Sequence, residues 1–398
     1  MSTPCARLFK IGKIHYTAPT TAAKTRITQI NHPITVKELL TTVDLDELAT
    51  KFKQKAIESH RFRKRTNIYD YVFARLAGAN RHSLVEDILE THKSFDDITK
   101  EGFAVRIIFL YGTAGMLGHA RKLFDEMPQL NCERTILSFN ALLRAGVKSK
   151  RFNEVYEIFR EYRSKLSLSL SVISYNTVIH ALCEMGSLSE AMEMLDELKK
   201  NGLQPSVITF NILLEAFYRK RGFLGGERLW TMMEEDNVCR DIHSYNLTLE
   251  ALVNQGELST AVILFDVLVD EGLKPNPITF NIFIKGYYDQ GNVNEGIKWY
   301  KALLESENVP NRMTFSTLVP ELCRIGEYEL AFDLTKKMFR RQFVVDEAML
   351  QLVVNELVKK SMILEAEELV ELGKTNNFVQ YNLTLYPEQV TATGAEQN

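Results

Sequence analysis

A strict period of 35 residues limits what this chain can fold into more than any other feature. The stretch 172–206, VISYNTVIHALCEMGSLSEAMEMLDELKKNGLQPS, is one copy, and its neighbours repeat it in phase. Ile173, Ile179, Leu182 and Cys183 fall at helical spacing in its first half, and Leu188, Ala191, Leu195 and Leu198 do so in its second. Gly186 separates the halves where a helix would end in a left-handed residue, and Pro205 stops the second helix. The unit is therefore a helical hairpin, too small to bury both stripes alone. It needs a copy on each side.

Well-matched units begin at Ile136, Val172, Val207, Ile242, Pro277 and Arg312, one of them 36 residues long, and looser ones begin at Thr66, Glu101 and Glu347. An aromatic-Asn step recurs as Phe139-Asn140, Tyr175-Asn176, Phe210-Asn211, Tyr245-Asn246 and Phe280-Asn281, then weakens to Phe315-Ser316. A glycine between the halves recurs as Gly115, Gly186, Gly256, Gly291 and Gly326. A small twentieth residue (Ala120, Ala191, Gly226, Ala261, Gly296, Ala331, Ala366) lets paired helices approach closely. The expected fold is all-α, a right-handed α-solenoid of eight to nine hairpins.

The 398 residues would ordinarily make two or three domains, but the period replaces that count with one array at 66–381. A net charge of −3 supplies no general attraction to nucleic acid. The five cysteines lie far apart, which argues against a disulfide framework or a zinc site, and Cys183 and Cys323 read as packing residues. No apolar run approaches the roughly 20 residues that would span a bilayer.

Residues 1–37 hold Arg7, Lys10, Lys13, Lys24, Arg26 and Lys37, many Thr and no acid. That composition is expected of a cleaved organellar transit peptide, mitochondrial in preference to chloroplast, with an uncleaved basic tail as the other reading. Without it, 42 basic residues face 51 acidic ones. From Ile34 to His60 the pattern is amphipathic, with Leu39, Leu40, Val43, Leu48, Phe52 and Ile57 toward one side. Residues 38–65 are thus expected to form a capping helix followed by a basic junction, Arg61, Arg63, Lys64 and Arg65, which is either a solvated surface or a phosphate contact. Residues 382–398 are expected to be a polar tail.

The period, the aromatic-Asn opening, the mid-unit glycine and the closing Pro-Asp/Asn/Ser resemble pentatricopeptide repeat proteins of the plain P type, over residues 66 to about 381. The resemblance implies first helices that line a groove for single-stranded RNA, one base per repeat. It assigns base edges to the fifth and last residues of each unit: Asn140 with Ser171, Asn176 with Ser206, Asn211 with Asp241, Asn246 with Asn276, Asn281 with Asn311, and Ser316 with Asp346. It assigns base faces to the second residues Leu137, Ile173, Ile208, His243, Ile278 and Met313. The pairs suggest C, C, U, two pyrimidines, then weakly G. The Asn column also has a structural reading, as hydrogen bonding between neighbouring units. The thirteenth places (Lys148, Glu184, Arg219, Asn254, Asp289, Arg324) give half a basic stripe, and Val105 at a fifth place cannot bond a base.

No catalytic motif stands out. The HxE with CxxC of zinc deaminases and the phosphate-binding GxxxxGK[ST] are absent, and Gly222, Gly225 and Gly226 fall at turn and packing places. The expectation is a non-enzymatic adaptor without cofactor, metal, membrane or small-molecule substrate. Its partners would be single-stranded RNA (mRNA or rRNA) and mitochondrial ribosomal proteins. Segments such as EGFAVRIIFLYGTAG and LFDEMP resemble the short pentatricopeptide proteins of plant mitochondrial ribosomes. The alternatives are a free transcript-specific factor or a protein–protein scaffold using the same groove.

Overall fold

The computed structural model describes residues 34–165, 169–306, 308–376 and 379–385. The expected transit peptide (to residue 33) and the tail beyond 385 lie outside the described residues. Among the described residues every regular element is helical. First helices start at Thr66, Glu101, Ile136, Val172, Val207, Ile242, Pro277, Arg312 and Glu347, in step with the period. The chain divides into two compact units, one ending at Ala251 and one beginning at Leu252.

In each unit the same local chemistry starts and stops a hairpin. Ser171 and Ser206 cap the helices Val172–Met185 and Val207–Arg221 with their hydroxyls, while Asn276 and Asn311 cap Pro277–Asp289 and Arg312–Ile325 with their amides. A Ser or Thr three residues later closes the box by accepting from the cap's own backbone N–H. The turn to the second helix needs a left-handed residue. Gly186 and Gly326 supply it with φ of 81° and 89°, and where glycine is missing Asn80, Lys150 and Ser361 adopt φ of 54°, 55° and 63°.

Burial orders the layers. In the unit ending at Ala251, each first helix packs on the first helix of the next hairpin and on its own second helix; the second unit repeats this from Pro277 onward. The fourth-place aromatics Phe139, Tyr175, Phe210, Tyr245, Phe280 and Phe315 are all buried between these layers. The twentieth-place alanines are fully enclosed. Cys183 and Cys323 are buried as expected of packing residues, and burial raises their thiol pKa values to about 12 and about 11. Ile173 departs from its expected place in the apolar stripe: it is 58% exposed.

Two segments differ from the sequence reading. The stretch 36–63 is three helices, Val36–Thr41, Leu45–Glu58 and His60–Arg63, rather than one. Asp44 caps the second by accepting from the Glu47 N–H at 2.8 Å, and Ser59 caps the third, which breaks the stripe. Leu39, Leu48 and Phe52 remain fully buried while Val43 and Ile57 turn outward. Arg63 of the basic junction is committed inward, donating to Asp97 Oδ2 at 2.9 Å and to the Ala56 carbonyl at 2.8 Å. At the other end, residues 381–385 pack on the last hairpin and are no polar tail. Tyr381 and Leu383 are buried, and the Thr384 backbone exchanges two hydrogen bonds with the Gln351 amide, at 2.7 and 3.0 Å.

Candidate nucleic-acid interface

A residue at the second place of a first helix points away from both the hairpin partner and the preceding first helix. Leu137, Ile173, Ile208, Ile278 and Met313 are 53% to 61% exposed there, and His243 is exposed as well. Large apolar side chains at one register, left in solvent within each unit, make a surface that the core does not need. In the first unit they belong to consecutive hairpins.

The fifth-place amides behave differently. Asn140, Asn211, Asn246 and Asn281 are only 4% to 9% exposed, and Asn176 is half-buried. In the first unit their oxygens are taken by the next hairpin. Ser174 Oγ donates to Asn140 Oδ1 at 2.7 Å, Thr209 Oγ1 to Asn176 Oδ1 at 2.8 Å, and Ser244 Oγ to Asn211 Oδ1 at 2.7 Å. These hydroxyls belong to the capping boxes, so one residue secures its own helix and grips the previous hairpin. The acceptor half of the amide is therefore spent on cohesion. Of the two Nδ2 hydrogens, one goes to the last-place residue at Asn140 and Asn211, which leaves the other for a base edge.

The last-place residues share this clasp. Asn140 Nδ2 donates to Ser171 Oγ at 3.3 Å, Asn211 Nδ2 to Asp241 Oδ1 at 3.1 Å, and Asn281 Nδ2 to Asn311 Oδ1 at 3.1 Å. No hydrogen bond joins Asn176 to Ser206, or Ser316 to Asp346, among the described residues. Asn246 is buried at the end of the first unit, while Asn276 is half-buried as a cap in the second. Burial alone would raise the Asp241 carboxyl, but bonds from the Ser244 backbone N–H, the Asn211 amide and the Ser244 hydroxyl outweigh it and lower the pKa. The second unit breaks the pattern. The Thr314 hydroxyl turns to Asn311 Oδ1 at 3.3 Å and leaves Asn281 Oδ1 buried without a partner.

Where Val105 replaces the amide, the clasp is rebuilt from another residue. Glu101 Oε1 accepts from the Thr135 N–H at 2.9 Å, the Thr135 hydroxyl at 2.8 Å and the Ser138 N–H at 3.1 Å. The thirteenth-place cations are partly neutralised: Arg219 pairs with Glu184 at 2.8 Å and Arg324 with Glu321 at 2.6 Å. The sequence reading passed over Arg106, Phe109 and Arg144, which line a cleft with Leu137, Asn140 and Ile173. Phe109 and Arg144 hold the ninth place, two turns beyond the second place on the same helix face, a spacing that would have found them. The described residues hold no cluster of three His, Cys, Asp or Glu fit for a metal, and no helix long and apolar enough to cross a membrane.

Stacked helical hairpins in fixed register define an α-solenoid repeat protein. Residues 170–219, 240–289 and 278–324 match the PPR repeat family and residues 106–132 match the PPR repeat. Over those residues the chain carries pentatricopeptide repeats. It is similar to two Arabidopsis thaliana proteins described as small ribosomal subunit proteins. One is mS78 (rPPR3a), 52% identical over 156 residues, 39% of this chain and 39% of that protein. The other is mS79 (rPPR3b), 45% identical over 194 residues, 48% of this chain and 47% of that protein. A mitochondrial pentatricopeptide repeat-containing protein of the same plant is 35% identical over 176 residues, 44% of each chain. The matched segments thus span less than half the length of each of these relatives.

Proposed function

We propose that the chain is a non-catalytic RNA-binding adaptor of the mitochondrial ribosome, holding a short pyrimidine-rich single strand on its first-helix face. The observation that carries this is the row of exposed second-place side chains in the first unit, Leu137, Ile173, Ile208 and His243, each three residues before a fifth-place amide, and the second unit repeats it at Ile278 and Met313. Flat apolar contact with bases tolerates any sequence, and a spare Nδ2 hydrogen can reach an acceptor such as the O2 that both pyrimidines carry. The names of the two ribosomal relatives and of the mitochondrial one support the setting.

The apolar row gives the cleaner test, because substituting the amides would also loosen the stack. With Ile173→Ala and Ile208→Ala combined, affinity for a fluorescent single-stranded C/U 12-mer should fall roughly ten-fold, from the loss of about 0.8 kcal/mol of apolar burial at each position. Thermal unfolding should be unchanged, since both side chains are exposed. Affinity equal to wild type would end this reading. Association is read from sedimentation of the endogenous protein, which should follow ribosomal subunits after mild nuclease treatment. Migration as a free particle would favour a transcript-specific factor instead.

A second reading, a protein-binding scaffold, has its own observation. The amide oxygens are committed to clasps, and the Arg219–Glu184 and Arg324–Glu321 pairs remove cations that would track phosphates. In that case the C/U strand would bind no better than a double-stranded control.

A further inference from the structure

At the start of the array, the hairpins beginning at Thr66, Glu101 and Ile136 enclose a cleft of 700 Å³ together with the Asp96–Thr99 turn. Its charge is unlike that of the chain. Arg63, Lys64, Lys100, Arg106 and Arg144 face two acids, Asp70 and Asp97. Asp97 is already consumed: Arg63 Nε, His60 Nε2 and Lys100 Nζ lie 2.9, 3.0 and 3.2 Å from its oxygens. Burial would raise its carboxyl, but these bonds outweigh it and hold the pKa at about 2.

Arg106 is the unusual member. Its guanidinium lies between two rings, 4.3 Å from the Tyr69 centroid and 5.0 Å from that of Phe103. Its Nε is buried and has no hydrogen-bond partner. Burial lowers its pKa below the usual arginine value, and a buried N–H without an acceptor is destabilising. An anion that accepts from it would remove both penalties. Opposite, exposed Arg144 lies 5.9 Å from the Phe109 centroid and Lys148 lies 6.0 Å from it, neither with an ion pair among the described residues.

We propose that this cleft anchors one nucleotide of the bound strand whatever its base, the phosphate held by Arg106 and Arg144 and the base laid on Phe109. The proposal rests on the RNA reading above and adds to it a site that reads no sequence. Guanidinium groups bind phosphate through paired N–H donors, and a ring flanked by cations is a stacking platform. Val105, at the fifth place of this hairpin, offers no hydrogen-bonding atom, so bases are not distinguished there. The cleft opens onto Leu137, Asn140 and Ile173, the first reading positions, which makes it continuous with the strand's path. An acidic peptide would satisfy the cations but would leave the Phe109 face unused.

The test uses the full chain and fluorescein-labelled single-stranded C/U and A-rich 12-mers at several salt concentrations. Arg144→Ala, at an exposed position, should weaken both strands about five-fold and reduce the salt slope by about 0.7 for the lost phosphate contact. The preference for C/U should be unchanged. Arg106→Gln should do the same, and circular dichroism separates that from misfolding. Wild-type affinity and slope in both variants would overturn the anchor while leaving the RNA reading intact. Equilibrium dialysis of radiolabelled uridine 5′-diphosphate probes the cleft directly. Retention by wild type, with loss in both Arg106→Gln and Arg144→Ala, supports the anchor even if strand reading fails. Displacement by poly-glutamate at equal charge concentration would overturn it in favour of a protein ligand.

Discussion

Tyr218 occupies the space into which a side chain on Gly226 would grow: a Cβ there would lie 2.1 Å from Tyr218 Cε1. The two residues are eight apart, and the same spacing recurs as Tyr288 with Gly296, where the approach would be 2.9 Å. Other hairpins place Cys183 with Ala191 and Cys323 with Ala331. A large residue on the first helix goes with glycine on the second, and a small one goes with alanine.

This packing makes Gly226→Ala destabilising and repairable. Alone it should cost about 1–3 kcal/mol through overpacking. Combined with Tyr218→Cys, the pairing found in the Val172 hairpin, most of that cost should return as a favourable coupling in a urea double-mutant cycle. Additive effects would show that the two sites are independent.

Asn211→Ala removes an amide bonded to both Ser244 and Asp241. It should destabilise the first unit by about 1–3 kcal/mol, the cost of leaving buried partners unsatisfied. Ser244→Ala should cost much less on top of it than by itself, as measured by denaturation of the two single variants and the double.

His92 is fully buried. Its Nδ1–H donates to the Ile88 carbonyl at 2.7 Å, and its Nε2 accepts from the Tyr69 hydroxyl at 2.7 Å. Burial, with Arg106 and Arg63 nearby, lowers its pKa to about 4. The unfolded chain therefore binds a proton between about pH 6.5 and 4 that the native chain refuses, so stability is full above pH 6.5 and falls through that window. The loss approaches about 3 kcal/mol at 1.36 kcal/mol per unit. In His92→Gln this part of the pH dependence should vanish. An unchanged profile from pH 7 to 5 would mean that the ring titrates normally.

Leu383 closes the last hairpin and lies against Gly373. Leu383→Ala should destabilise the second unit by about 2–4 kcal/mol, the usual cost of emptying a buried leucine site. Hydrogen exchange should report this in 347–374 before it reaches 277–289. Uniform loss of protection would show instead that the second unit opens as one.

The hairpins were legible because period, cap and left-handed turn all repeat, and local rules agree with one another at Ser171, Val172 and Gly186. The start of the chain misled because Val43 and Ile57 match a single amphipathic helix, while the competing signal, Asp44 as a cap, is one residue. Leu383 was hidden because Tyr381, Leu383 and Leu385 alternate with polar residues outside any helical repeat, and their burial depends on the surface of the last hairpin. The second-place row came from the resemblance, whereas the apolar pattern had put Ile173 in the stripe, where it is 58% exposed. The depth of the amides was not legible, because Ser174, Thr209 and Ser244 reach them from the next hairpin and no spacing within a unit announces a bond across units. The cleft was missed for a related reason: Arg106 and Arg144 sit 38 positions apart and meet only when the hairpins stack.

The hydroxyl clasp sets a limit on how such an array could be rewritten. Changing a fifth-place residue to alter which base it prefers would also remove a rivet between modules, so recognition and rigidity could not be tuned separately. The joint after the Arg312 hairpin, where Met349 stands in place of the hydroxyl and Ser316 is untethered to Asp346, is free of that tie and would be the place to begin.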